Sequence, residues 1–449
     1  MEYFGTDGIR GVVNKNMTSE LAYKVGYAIG KSIILHGLTK KVIIGHDTRL
    51  SSDLLQYSLS CGLMDMGIDC YMIGIVPTAC VSYLAKVEDF GYAVMITASH
   101  NTWDMNGIKV INRFGYKCNE LEEQELENNI ESIPYIYTEK KGKIYEANRL
   151  VDQYIEHIYS TININLSDMN IALDLANGSN YALAPTVFKK YGANIVCVGA
   201  DNDGKNINNN CGAQHIELLQ NQVLEHHCDI GFAFDGDADR LRVVLKDGQC
   251  LDGDDILYIF AKYLNKNNKL LSSNVVGTIM TNDGLDIALQ KIDVMLTRVD
   301  VGDKNVIDRL SSSGYILGGE PSGHIANLGY NTTCDALMNA LFLLQIIKLE
   351  KWDIKSVLSD LIKYPSVEKS VIVTEFFREL YRRDENFKAN VDGIAIKYNM
   401  ARIIIRPSGT EPVFRIYVEG INQEKNKEIA INIEKKIKLL DKTLNKNNT

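Results

Sequence analysis

Tyr92-Ala-Val-Met-Ile-Thr-Ala-Ser-His-Asn101 is the stretch from which the fold reads outward. Its first half, Tyr92–Ile96, is an uninterrupted apolar run of strand length, the pattern of a strand buried on both faces. Its second half is small and polar, so the chain leaves the sheet at Thr97 and presents Ser99 and His100 just past a strand's carboxyl end. That edge is where open α/β sheets bind ligands. A serine there acts as a nucleophile or phosphate carrier helped by His100, or it caps a following helix. These residues alone leave both readings open.

The layout extends to either side. An amphipathic helix over Ser19–Leu35 leads to a short buried strand at 41–45, with His46-Asp-Thr-Arg49 at its exit. A helix at 53–66 and strands at 69–73 and 107–111 complete the unit, and the alternation predicts a parallel, helix-covered sheet. Ahead of it, residues 3–11 read as a glycine-spaced loop, Gly5-Thr-Asp-Gly-Ile-Arg10-Gly, in which Arg10 is an anion clamp or a surface residue. A charged helix at Glu120–Glu131 and the polar stretch 132–148, with Pro134 and Gly142, suit a domain margin. A helix at 151–158 opens a second unit with strands at 170–175, 193–198 and Ile230–Phe234, interrupted by a polar loop at 201–212. The third unit has a helix at 255–264 and strands at 275–280, 293–298 and 315–317. It runs into Gly318-Gly-Glu-Pro-Ser-Gly-His324 and is closed by a helix at 335–349. Three comparable units in succession suggest an internal repeat, although no residue-level period accompanies it. Pro365 marks another boundary. Beyond it, strands at 370–374, 393–398, 401–405 and 413–418 precede a helix with Ile429, Ile433, Ile437 and Leu440 on one face, and 445–449 read as frayed.

A chain of 449 residues holds about three domains at ~150 residues each. Its 48 Lys and Arg against 57 Asp and Glu leave a net charge of −9 with no basic block, which argues against a nucleic-acid partner or an anionic membrane surface. Nine scattered cysteines without a Cys-x-x-Cys pair argue for free thiols in a reducing cytoplasm. The chain opens without a basic-then-apolar signal pattern, and the longest apolar stretch, 336–347, is too short to span a bilayer. A soluble, cytoplasmic protein is expected.

Three further loops carry chemistry. Asp235-Gly-Asp237-Ala-Asp239-Arg240 follows the strand Ile230–Phe234, and in an extended loop alternate side chains share a side, so the three carboxylates converge. At ~5 Å spacing they repel by ~3 kcal/mol per pair at an effective dielectric near 20, and a cation belongs among them. A hard divalent ion, most simply Mg²⁺, suits these oxygen ligands. An EF-hand is excluded, since its sixth position would be Arg240 and its twelfth Lys246. Glu320, Ser322 and His324 offer a carboxylate, a hydroxyl and an imidazole for a polyhydroxylated ligand, or form an ordinary loop. Arg406-Pro-Ser408-Gly409-Thr410 combines a guanidinium, two hydroxyls and backbone N–H groups around a glycine, the makings of a phosphate nest.

Together these loops resemble those of the α-D-phosphohexomutase superfamily across nearly the whole chain. Tyr3-Phe-Gly-Thr-Asp-Gly-Ile-Arg-Gly11, Asn206-Ile-Asn, Cys211-Gly-Ala-Gln-His215, Leu251-Asp-Gly-Asp254, Val301-Gly-Asp303 and the segment 406–420 extend the likeness, and the segment 201–220 points to its amino-sugar branch. The resemblance implies three related α/β mixed-sheet domains plus a C-terminal α+β domain around a central cleft, at 1–150, 151–253, 254–366 and 367–449. It implies a phosphorylated Ser99 that holds Mg²⁺ with Asp235, Asp237 and Asp239, and a transfer site completed by Arg10, His100, Arg240 and Lys109, the last as general base. Glu320, Ser322 and His324 would read the sugar, and Arg406, Ser408, Gly409, Thr410 and Arg415 would hold the non-reacting phosphate. The implied reaction moves a phosphoryl group within a hexose phosphate through a bisphosphate, here glucosamine 1,6-bisphosphate or another hexose bisphosphate, in a monomer or homodimer. Thr102 stands where the superfamily usually has proline, and Pro321 where its amino-sugar members have glutamine. A hexose phosphomutase for glucose or mannose phosphates, a metal-assisted phosphatase and a silent sugar-phosphate sensor are the competing readings.

Overall fold

In the computed structural model, Tyr92–Ile96 is buried along its whole length in the middle of a seven-stranded sheet. The structure describes residues 3–5, 7–131, 139–395, 398, 401–407 and 413–447. They form two compact units, one of residues 1–281 and 289–360, the other of residues 282–288 and 361–449.

The larger unit contains three sheets built on one plan. In the first, the strands run in the order Phe4–Gly5, Gly8–Val12, Met105–Asn112, Tyr92–Ile96, Lys41–His46, Asp69–Ile75, Ile144–Glu146. Tyr92–Ile96 is parallel to Lys41–His46 and antiparallel to Met105–Asn112. The second sheet repeats this four-strand core as Leu241–Leu245, Ile230–Phe234, Asn170–Asp174, Asn194–Val198, and the third as Ile325–Asn327, Leu317–Gly319, Asn274–Thr278, Met295–Val299. In each, a central strand pairs parallel on one side and antiparallel on the other. The expected repeat is therefore one of topology. The purely parallel sheet read from the alternation is corrected: each sheet is mixed, because the chain turns straight back after each chemistry-bearing loop. The return strands Leu241–Leu245 and Ile325–Asn327 escaped the periodicity, the second because it is only three residues long.

The glycine-spaced segment 3–11 is also corrected, from loop to hairpin: Gly8–Val12 pairs with Met105–Asn112, placing Arg10 opposite Gly107. Apolar helix faces cover the sheets. Ser19–Leu35, capped by Thr18 through the Leu21 N–H, buries Val25, Ile29 and Ile33 against Leu55, Leu59 and Leu63 of the neighbouring helix Ser52–Asp65. Burial of such side chains stabilises by ~1.5–3 kcal/mol each.

The C-terminal unit has an antiparallel sheet in the order Ser366–Ile372, Val413–Glu419, Arg402–Pro407, with the apolar stripe Ile429, Ile433 and Ile437 of the helix Gln423–Asn447 in its core. The strand expected at 393–398 is absent from the described residues. Two helices, Glu375–Arg383 and Glu385–Asp392, precede it, capped by Thr374 and Asp384, with Phe377 and Tyr381 buried one turn apart. The last helix continues through residue 447, and 448–449 lie outside the described residues. Among the described residues, no helix is long and apolar enough to cross a membrane.

Candidate active site

The three repeated sheets fix three loops by the same device. Each central strand and its antiparallel return are registered up to the loop: Ile96 opposite Ile108, Phe234 opposite Leu241, and Gly319 opposite Ile325. The loops 97–104, 235–240 and 320–324 are thus hairpin tips, and hydrogen bonds link them.

Ser99 is fully buried and adopts a left-handed backbone with φ of 51°. No helix starts there, so the capping alternative falls. Its Oγ donates to Asp235 Oδ2 at 2.8 Å and lies 3.3 Å from His100 Nδ1. Burial, followed by the charges of Arg240 and Arg10, pushes His100 down to about 3, leaving a neutral imidazole beside the hydroxyl.

The aspartate loop converges as its spacing predicted. Asp235, Asp237 and Asp239 are buried and each offers an oxygen within 4.8 Å of the others. Asp235 Oδ1 accepts the N–H groups of Asp239 and Arg240, both at 3.1 Å, which folds the loop and frees Oδ2 for Ser99. Burial, then repulsion from Asp239 and Asp237, pushes Asp235 up to about 7. Asp237 is raised by burial and by Asp239. Its Oδ2 accepts Thr78 Oγ1 at 2.5 Å, whereas Oδ1 is buried without a hydrogen-bond partner among the described residues. An orphaned carboxylate oxygen in an acidic trio fits a hard cation. The glycine between the acids also has its reason: a Cβ on Gly236 would lie 2.5 Å from the Ser99 carbonyl oxygen.

Lys109 lies opposite Met95 in the sheet and is buried. Its Nζ reaches Asp237 at 2.7 Å, Asp239 at 2.9 Å and Asp7 at 3.2 Å. Burial opposes its charge, but Asp237, Asp239 and Asp7 together hold it well above the usual lysine range. Lys117 bridges Asp7 and Asp303, the latter at 2.6 Å. Arg10 pairs with Asp7, and its buried Nε has no hydrogen-bond partner among the described residues.

Glu320 and His324 join the third tip to the aspartate loop. His324 Nδ1 is 2.8 Å from Glu320 Oε2, and Nε2 is 3.1 Å from both Asp239 Oδ1 and Arg240 Nε. Burial works against a charged ring, but Asp239 and Glu320 raise His324 to about 10. Glu320 also accepts the Gly302 N–H at 2.9 Å, and Ser322 is exposed. Gly253 of the Leu251-Asp-Gly-Asp254 motif lets this tip approach: a Cβ there would sit 1.8 Å from the Glu320 carbonyl oxygen.

The fourth predicted loop lies in the C-terminal unit. Arg406 stands directly opposite Arg415 on adjacent strands. Ser408, Gly409 and Thr410 lie outside the described residues.

Four successive domain families of the phosphoglucomutase/phosphomannomutase group match the chain: alpha/beta/alpha domain I at residues 1–136, domain II at 152–248, domain III at 252–364 and the C-terminal domain at 368–436. The chain is a phosphohexomutase. Proteins named phosphoglucosamine mutase from Clostridioides difficile and Clostridium novyi are each 40% identical to it, over 437 and 440 residues, covering 96% and 97% of this chain and 98% of each relative. The phosphohexomutase fold is shared with a phosphoglucomutase/phosphomannomutase family protein of Burkholderia thailandensis, with a TM-score of 0.81 at 24% identity over 96% of this chain and 97% of that one. It is shared too with an Aspergillus fumigatus N-acetylphosphoglucosamine mutase solved with GlcNAc-6P and magnesium, with a TM-score of 0.63 at 16% identity over 96% and 95%. The phosphohexomutase described here is accordingly an isomerase acting on a sugar phosphate, with an acidic trio suited to a metal ion.

Sequence reasoning missed several residues of this site. Asp47, Arg49, Thr78 and Asn208 are buried polar side chains that contact the loops from a distance in sequence, and Asp7 and Lys117 stand behind them, Asp7 pairing with both Lys109 and Lys117. The signal for three of them was present: Asp47-Thr-Arg49 leaves a central strand's neighbour at the same edge as Ser99, and Asn206-Ile-Asn208 is polar yet distinctive.

Proposed function

We propose that this mutase interconverts glucosamine 6-phosphate and glucosamine 1-phosphate through phosphorylated Ser99 and a glucosamine 1,6-bisphosphate. The observation that carries the reading is the Ser99 hydroxyl 2.8 Å from Asp235, inside a buried acidic trio with an orphaned oxygen. Phosphoryl transfer depends on position and charge neutralisation more than on covalent work by the protein. Mg²⁺, held by Asp235, Asp237, Asp239 and a phosphoseryl oxygen, would supply positive charge where the transferring group gathers negative charge.

The rest is done by side chains of the chain. The bond from phosphorus to Ser99 Oγ breaks as the free sugar hydroxyl bonds to phosphorus, and the proton that this hydroxyl loses is balanced by one taken up at the released seryl oxygen, which becomes the Ser99 hydroxyl again. The other phosphate of the bisphosphate then returns to Ser99. Arg10, whose buried Nε has no hydrogen-bond partner among the described residues, and Arg240 are assigned to the transferring phosphoryl oxygens; His100 lies against the seryl oxygen. Lys109 offsets the carboxylate charge, and the base role implied by resemblance requires its release from these partners. Glu320, Ser322 and His324 are assigned to the sugar, and Arg406, Arg415 and residues 408–410 to the distal phosphate. The amino-sugar preference is supported by the names of the 40% identical relatives. A cytoplasmic location is supported by nine free cysteines, six of them buried.

Intact-mass measurement for one added phosphate, followed by coupled assays with glucosamine, glucose and mannose 6-phosphates and Mg²⁺, tests the reading. Ser99→Ala is expected to remove both the phosphate and turnover. A better rate on glucose or mannose phosphate would replace the substrate assignment, and net phosphate release would replace the mutase mechanism.

A further inference from the structure

We propose that Arg49 and Asn208 are positioning residues for phosphoryl transfer, a two-sided clamp that holds the seryl loop through its carbonyl oxygens. This inference rests on the mutase reading above. Arg49 Nη2 donates to the Ser99 and Asn101 carbonyls at 2.9 and 2.8 Å. From the other side, in the second sheet's domain, Asn208 Nδ2 donates to the same two oxygens at 2.8 and 3.0 Å. Arg49 Nη1 takes the carbonyls of Met105, at 2.9 Å, and Thr102, so one guanidinium gathers three carbonyls of the loop and the first of the return strand.

The clamp is itself built. Arg49 is completely buried and its Nε donates to Asp47 Oδ2 at 2.9 Å, which removes the cost of an unpaired internal charge. Asp47 Oδ2 also accepts Thr97 Oγ1 at 2.6 Å, and Thr97 Oγ1 accepts the Ser99 N–H at 2.8 Å. Both backbone polar groups of Ser99 are thereby fixed, and its left-handed φ of 51° is overdetermined by its surroundings. An L-residue is strained in that conformation, and the strain persists only under such constraint. Asn208 is held by its own N–H on the Ala176 carbonyl at 2.9 Å. Thr102 is tied by its carbonyl to Arg49.

The test uses the full-length, Mg²⁺-loaded enzyme and whichever hexose 6-phosphate the wild type turns over fastest. Asn208→Ala is expected to lower kcat by ~10–100-fold with KM within twofold, as for a reacting atom misplaced by less than ~1 Å. Asn208→Asp, which turns an acceptor against two carbonyls, is expected to lose more. Arg49→Lys, which keeps a charge beside Asp47 but lacks the fork, is expected to fall with Asn208→Ala. Hydrogen exchange of peptides covering 97–105 gives a readout independent of substrate and should quicken at least tenfold in Asn208→Ala. A kcat within twofold of wild type, a change in KM alone, unaltered exchange at 97–105, or a loss of activity matched by loss of folded protein would each overturn the clamp. Failure of the wild type to isomerise any hexose phosphate would instead strike the mutase reading, while the exchange result still decides whether the clamp exists.

Discussion

Replacing Gly236 by alanine should separate the serine from its metal loop without touching a reactive group. The added Cβ would stand 2.5 Å from the Ser99 carbonyl oxygen and 2.8 Å from both Asn208 Nδ2 and Ile207 Cδ1. A carbon and a carbonyl oxygen rest at ~3.3 Å, so the two tips must part by ~0.8 Å. Overpacking of this kind costs ~1–3 kcal/mol of stability. The heavier consequence is catalytic, because a shift near 1 Å between reacting groups costs up to ~100-fold in rate. We expect kcat to fall by ~10–100-fold in the coupled mutase assay, with the phosphate on Ser99 still detectable by intact mass. Gly314→Ala is the control. Gly314 has φ of 68° at the end of the helix Asp303–Ser313 and nothing within 4 Å of a Cβ, so alanine there should lower stability and leave turnover intact. Turnover of Gly236→Ala within twofold of wild type, or equal losses in the two variants, would refute the reasoning.

Chelation should abolish turnover and Mg²⁺ restore it; Mg²⁺ at ~100 times its dissociation constant should also stabilise the protein by ~2.7 kcal/mol in thermal denaturation. Asp237→Asn should remove most of that stabilisation, and an unchanged melting curve on adding Mg²⁺ to the wild type would dissociate the trio from the metal. Arg406→Ala is expected to weaken substrate and bisphosphate binding on the order of 100-fold; equal affinities measured by calorimetry would count against the phosphate cradle. Burial pushes the Cys70 and Cys211 thiols up to about 12. Native protein at pH 8 should therefore react with maleimide only at Cys61, Cys197 and Cys250, and rapid labelling of the six buried thiols, read by mass, would contradict the packing.

Apolar run length located the central strands: Tyr92–Ile96 and Ile230–Phe234 begin and end where hydrophobicity does. The trio was equally legible, since alternate carboxylates on a short loop have few other arrangements. Partners drawn from distant sequence were not. Arg49 is only the last residue of a strand's exit until the carbonyls 50–56 residues later fold onto it, and Asp7 looks like a turn residue until Lys109 and Lys117 arrive. The segment 375–392 was obscure for a different reason. Its helices expose charged faces and bury only a few aromatic residues, so the apolar period is thin.

That each reactive loop caps a registered hairpin has a bearing on how this enzyme tolerates change in length. One residue inserted into a tip would slip a strand against its partner and turn buried side chains outward, so indels there should be lethal in a mutational library. The connection at 201–205, which precedes Asn206-Ile-Asn208 and belongs to no ladder, should tolerate a one-residue insertion better in the same library.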